Sequence, residues 1–97
     1  MKIIWSPTAI TKTKEILEYI SEDNPDAALT LIDQFETKTE KLKLNPESGR
    51  VLPETKYDKI REIVVHKNYG IINEINPDKI EILTVRHFRQ KFSASNL

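Results

Sequence analysis

The residues best suited to chemistry in this 97-residue chain lie in its C-terminal half, with Arg61 set apart from a cluster of Arg86, His87, Arg89 and Lys91. Cations around one proton carrier are what metal-free cleavage of RNA demands. The 2′-hydroxyl must be made nucleophilic, the phosphate charge stabilised and the leaving oxygen protonated. His87 is the natural proton carrier, since an unperturbed imidazole titrates at about pH 6.5. Each residue also has a plainer reading. Arg61 and Arg89 could pair at the surface with carboxylates such as Glu62 or Glu54, a common and weak interaction. Arg50 could bond loop carbonyls, and a histidine at a strand end is more often a hydrogen-bonded structural residue. His66 lies beside a turn and is given no role, while Trp5 and Phe35 fall on apolar stripes read as core.

Composition narrows the classes. There are no cysteines and only two histidines, far apart in sequence, so neither a disulfide frame nor a recognisable metal-ligand spacing is present. No metal and no cofactor are expected. No apolar run approaches the roughly 18 residues needed to span a membrane, and the start Met1–Pro7 is too short in its apolar part for a signal peptide. The chain therefore reads as a cytoplasmic protein with no membrane partner, forming one domain over residues 1–97. Its 15 basic and 15 acidic residues cancel. Residues 1–45 hold 6 basic and 8 acidic side chains, and residues 46–97 hold 9 and 7. A surplus of two positive charges in the second half is far from the strongly basic balance of nucleic-acid domains. Sequence-specific DNA binding by this chain alone is not expected.

The candidate residues must be positioned by elements that the pattern makes legible. Lys2–Trp5 is β-branched and aromatic, and reads as a strand. Ser6-Pro7 supplies a hydroxyl cap followed by proline at the first helical position. Ala9, Thr13, Ile16, Leu17 and Ile20 then recur at helical spacing to about Glu22. Asn24-Pro25 breaks the run and restarts it, and Ala28, Leu31, Ile32, Phe35, Thr39 and Leu42 form a second stripe. Two amphipathic helices so closely joined must pack antiparallel. Asn45 to Tyr57 is a turn-rich loop. Ile60–Val65, Tyr69–Ile75 and Lys79–Arg86 follow as three strands of an antiparallel meander. The fold class is α+β: an N-terminal strand, a helical hairpin, and a meander completing one sheet. In the last strand Ile80 and Ile82 should point one way, Leu83 and Val85 the other. The second sheet face would then be a partner site, unless Phe88 and Phe92 fold back over it. Meander topology is expected to bring the start of its first strand near the end of its last, and so Arg61 near His87 and Arg89.

This order of elements resembles the RelE/ParE superfamily of toxins from bacterial toxin–antitoxin pairs. The resemblance is carried by Trp5-Ser6-Pro7, by Asn24-Pro25 with Ala27-Ala28, by the loop Pro46-Glu47-Ser48-Gly49-Arg50 and by Ile60-Arg61-Glu62. It continues through Asn68-Tyr69-Gly70-Ile71-Ile72 and Ile82-Leu83-Thr84-Val85-Arg86-His87 with Arg89. It implies a toxin that arrests growth, by one of two routes on one fold. RelE-type members cut messenger in the ribosomal decoding site. ParE-type members bind DNA gyrase and stall it without chemistry of their own. Fold alone does not choose between them.

Three departures lean away from the nuclease. Ribosome-dependent relatives usually carry a phosphate-contacting arginine after the third-strand tyrosine, where this chain has Gly70. A second basic position falls on Ile63, although Arg61 does match one. The C-terminal tyrosine of the nucleases is replaced by Phe88 and Phe92. Losing one charged stabiliser of a transition state costs about a hundredfold or more. The leading expectation is a ParE-like toxin of DNA gyrase. The alternatives are a ribosome-dependent messenger nuclease using Arg61, His87 and Arg89, and a relic that only binds its antitoxin in autoregulation. All three imply an antitoxin whose flexible segment folds onto the toxin as an amphipathic helix or added strand. Arg61, Tyr69, Arg86, Arg89 and Lys91 are the residues expected to meet target or antitoxin, the arginines by pairing with carboxylates.

Overall fold

A computed structural model of the chain describes residues 1–89, so Lys91 and Phe92 lie outside the described residues. Strand β1 (Lys2–Trp5) leads into helix α1 (Pro7–Asp23), and α2 (Pro25–Leu44) follows after a single residue. Ser6 caps α1 as its sequence predicts. Its Oγ accepts from the Ala9 N–H at 3.0 Å and donates to the Leu83 carbonyl at 2.7 Å, which ties the helix start to the sheet. Asn24 does the same for α2, accepting from the Ala27 N–H at 3.1 Å, with Pro25 at the first helical position.

The sheet has five strands in the order β1-β5-β4-β3-β2. Strands β3 (Ile60–Val65), β4 (Tyr69–Ile75) and β5 (Lys79–His87) form the expected antiparallel meander. Two features lay beyond the sequence reading. The loop after α2 contains a two-residue edge strand, β2 (Arg50–Val51), paired to β3. Strand β1 runs parallel to β5, with Trp5 opposite Ile82, so the helical hairpin is the crossover of a β-α-α-β unit.

Both helices cover one face of the sheet. Leu31, Phe35 and Leu42 of α2 and Ala9 of α1 bury against Ile63, Val65, Ile71, Ile80, Ile82 and Val85, with Trp5, Ile16, Leu17 and Ile20 at the margin. The opposite face carries a smaller cluster of Leu52, Ile60 and Ile72, with Leu83 beside it. This corrects the expectation for the last strand, because Val85 sides with Ile80 and Ile82 and only Leu83 faces away. The cause is an irregularity opposite Ile72/Asn73, where Thr84 pairs with Ile72 and Ile82 with Asn73. The extra residue on β5 resets its side-chain alternation. The second face is also less open than expected, since Leu52 from the loop is fully buried over it.

The β3–β4 turn holds His66 and Lys67 at φ 49° and 42°. For residues with a Cβ this left-handed region costs about 1–2 kcal/mol each. It is sustained by packing at the end of the sheet, where the Phe88 N–H donates to the Asn68 carbonyl at 2.9 Å.

Candidate functional site

The most structured polar group in the molecule lies on the sheet face away from the helices. Glu62 on β3 is 1% exposed and Arg86 on β5 is 7% exposed. Arg86 Nε donates to Glu62 Oε2 at 2.6 Å and its Nη2 to Glu62 Oε1 at 2.9 Å, a two-point contact across β4. Arg86 also donates to Glu54 from the loop, at 2.5 Å from Nη1. Arg50 on β2 donates to Glu62 Oε1, from Nε at 3.0 Å and Nη2 at 2.5 Å. Two guanidiniums and two carboxylates thus neutralise one another. The Phe88 ring stands over both arginines, its centroid 5.5 Å from the Arg86 guanidinium carbon and 5.9 Å from that of Arg50.

The chain has two glycines, and both press on Glu62. A Cβ on Gly49 would sit 2.9 Å from the Glu62 carbonyl oxygen, and one on Gly70 would overlap the Glu62 carboxylate. Gly70 is therefore the vacancy into which the Glu62 side chain reaches. The space beside Gly70 is thus occupied by an internal anion already held by two arginines.

Electrostatics follow from this packing. Hydrogen bonding from Arg86 holds the Glu54 carboxyl below its ordinary value, against an opposing effect of burial. The Glu62 contact in turn raises the Arg86 guanidinium, which stays charged at any accessible pH. Burial pushes the Tyr69 hydroxyl upward.

The remaining candidates are dispersed. In a meander the first and third strands run parallel, so the start of β3 lies beside the start of β5, not its end. Arg61 is in register with Asn73 and Ile82, whereas His87 pairs with Tyr69 opposite Val65. Four residues of offset along the strands are roughly 13 Å. The expected proximity of Arg61 to His87 and Arg89 is thus not met. Arg61 instead donates to the carbonyls of Glu47, Gly49 and Asp58, at 3.4, 3.2 and 3.2 Å, and fastens the loop to the sheet. Arg50 and Arg61 have exchanged the parts the sequence suggested for them. His87 packs edge-on against Tyr69 at 5.0 Å, and its Nδ1 accepts from the Arg89 N–H at 3.0 Å. Tyr69 in turn meets Phe35 edge-on at 6.3 Å. The Arg89 side chain is exposed and makes no ion pair among the described residues.

Sequence reasoning missed the four-residue cluster as a unit, because its hydrogen-bonded partners are 12 to 32 positions apart. The signal that could have found it is the pairing of Glu62 with Gly70, since a large buried anion needs an empty neighbour. Among the described residues no group of three or more histidine, cysteine or acidic side chains could hold a metal. Among the described residues no helix is long and apolar enough to cross a membrane.

Comparison with known proteins places this architecture. Residues 3–92 match the profile of the "ParE toxin of type II toxin-antitoxin system, parDE". The chain is 35% identical over 92 residues to "Putative toxin Y4kP" of Sinorhizobium fredii, covering 94% of this chain and 92% of that protein. Among solved structures, a chromosomal ParDE toxin–antitoxin system of P. aeruginosa superposes with a TM-score of 0.74 at 16% identity, over 90% of this chain and 95% of that one. A YoeB/ParE toxin of Agrobacterium tumefaciens gives 0.62 at 10% identity, over 90% and 98%. At such low identity these two establish the fold. The family match over nearly the whole chain carries more, and by it this protein belongs to the ParE toxins of type II toxin–antitoxin systems.

Proposed function

We propose that this chain arrests growth by binding an essential target, DNA gyrase, without cleaving RNA, and that a cognate antitoxin encoded beside it neutralises it in the cytoplasm. One observation carries the choice against chemistry. The position where a ribosome-dependent nuclease would need a free cation is filled by the Glu62 carboxylate, already bound by Arg50 and Arg86. A phosphate entering there would meet a neutral cluster and would have to displace a buried anion. Removing such an anion from its partners is costly, because it leaves buried charge unpaired. The dispersal of Arg61 and His87 points the same way, since proton transfer requires the donor within about 3 Å of the reacting oxygen.

A toxin that works by binding needs a surface, not a constellation. Exposed Phe88 and Arg89 follow β5, and half-exposed Arg50 of β2 lies 5.9 Å from the Phe88 ring; these form the surface with which the target would be engaged. The test is a supercoiling assay with purified chain and gyrase. Inhibition at micromolar concentration, with cleaved DNA trapped on the enzyme, is the expected result. Unchanged supercoiling together with messenger cut inside ribosome-occupied codons would transfer the function to the nuclease reading. Inactivity in both assays, with normal growth on expression, would leave antitoxin binding as the protein's role.

A further inference from the structure

The residues that follow β5 are exposed, yet their backbone is held at two successive positions. The Phe88 N–H donates to the Asn68 carbonyl at 2.9 Å, and the Arg89 N–H donates to His87 Nδ1 at 3.0 Å. The first bond extends the β4–β5 ladder one step beyond the Tyr69–His87 pair. The second belongs to no ladder, because a side chain captures the backbone two residues further on. Asparagine and aspartate commonly turn the chain in this way, with an oxygen attached to Cγ. In His87 the ring nitrogen attached to Cγ stands in for that oxygen.

The ring is itself oriented from the core. His87 meets Tyr69 edge-on, and Tyr69 meets Phe35 of α2 in the same way. Phe35 is buried in the main apolar cluster. Three rings in succession therefore carry the rigidity of the core outward to a turn at the surface. Consecutive residues of a strand point to opposite faces, and the Phe88 ring accordingly stands on the other side, over Arg86 and Arg50. His87 and Phe88 thus hold the end of the sheet from both faces, and exposed Arg89 comes next.

We propose that His87 is a positioning residue, which fixes the turn that presents Phe88 and Arg89 to the target and acts through its Nδ1 acceptor, not through proton transfer. The proposal rests on the target-binding reading above, and names the residue that orders that surface before the target arrives. An exposed turn left to itself samples many conformations, and ordering it on binding costs affinity. A turn already held by a hydrogen bond and a packed ring is ordered in the free protein. The bond between Arg89 and His87 is exposed, so water can replace it and it adds little to the stability of the fold. Its effect falls on the shape of the surface.

Two substitutions separate the bond from the ring. His87→Asn keeps an acceptor on Cγ and removes the ring, whereas His87→Phe keeps a ring against Tyr69 and removes the acceptor. Gyrase supercoiling is titrated with the wild-type chain and both variants, each shown by circular dichroism to be folded. Exchange of the Arg89 amide proton is followed by NMR in all three. The wild type should protect that proton, and His87→Asn should retain both the protection and inhibition close to that of the wild type. His87→Phe should melt close to the wild type, lose the protection and inhibit about fivefold less. Undiminished inhibition by His87→Phe, or a loss in His87→Asn as large as in His87→Phe, overturns the positioning role while leaving gyrase as the target. Free exchange of the Arg89 amide in the wild type overturns it without recourse to either variant. A wild-type chain that leaves supercoiling unchanged removes the target reading and the positioning role together.

Discussion

The two faces of the sheet are built on different physics. The helix-covered face is a continuous apolar core, in which Leu42, Val65, Ile71, Ile80 and Ile82 are fully excluded from water. Its stability comes from burial, which is non-directional and accepts exchanges of similar volume. Among the described residues the opposite face has a smaller buried apolar cluster of Leu52, Ile60 and Ile72, and places Glu62 and Arg86 beside them. There stability depends on direction, because each charge is tolerable only while its partner is in place. The contrast shows that one sheet can be held by non-directional burial on one side and by directional ion pairing on the other. The core face sustains the architecture, and the other face carries a closed, neutral cluster of Glu54, Glu62, Arg50 and Arg86.

The largest expected effect breaks the charged face alone. Glu62→Ala leaves Arg86 buried with half its partners, and should destabilise the protein by about 3–5 kcal/mol in denaturant titration. Replacing the pair together, Glu62→Leu with Arg86→Met, should recover most of that loss, since an apolar pair of similar volume is about neutral or stabilising by roughly 1–4 kcal/mol. A double variant as unstable as the single one would mean the cluster does more than neutralise itself. Next comes Gly70→Ala, whose methyl group overlaps the Glu62 carboxylate. A cost of about 1–3 kcal/mol is expected, and in the Glu62→Ala background most of it should disappear. Additive costs would show that Gly70 is needed for some reason other than Glu62. On the core face, Ile71→Leu conserves volume and should cost less than about 1.5 kcal/mol. A larger loss would erase the distinction between the faces.

Acid should find the charged face first. Because the Glu54 carboxyl is held below its ordinary value of 4.5, its contribution is fully present above that value. It is lost as pH falls through the depressed folded-state value, where protonation breaks the bond from Arg86. Melting temperature followed from pH 6 downward should therefore fall less steeply in Glu54→Gln than in the wild type. Parallel curves would exclude Glu54 as the acid-sensitive group. The smallest effect lies at the strained turn, where Lys67→Gly should stabilise by about 0.5–1 kcal/mol by relieving a positive φ. Destabilisation there would show that the lysine side chain holds the turn.

Much of this was legible in the sequence, and what was not has a common cause. Ser6-Pro7 and Asn24-Pro25 announce both helix starts because capping is local chemistry. The stripes of α1 and α2 and the three long strands follow from side-chain period. What escaped depends on pairing between distant segments. Strand β2 is two residues of a turn-rich loop and exists only because β3 lies beside it. The parallel docking of β1 on β5 joins residues more than 70 positions apart. One irregular residue near Leu83 moved Val85 to the core face, and no local pattern marks it. Arg50 and Arg61 exchanged parts because reach, not residue type, decides which guanidinium meets Glu62. The candidate site was legible as a list of residues, and its meaning came from register.

Occupation of a target, and not cleavage of RNA, is the proposed mode of action. The most direct measurement follows DNA and protein synthesis with labelled precursors during the first minutes after the chain is expressed alone. If the toxin occupies gyrase, DNA synthesis falls first while translation continues. Early loss of protein synthesis with DNA synthesis intact would contradict it.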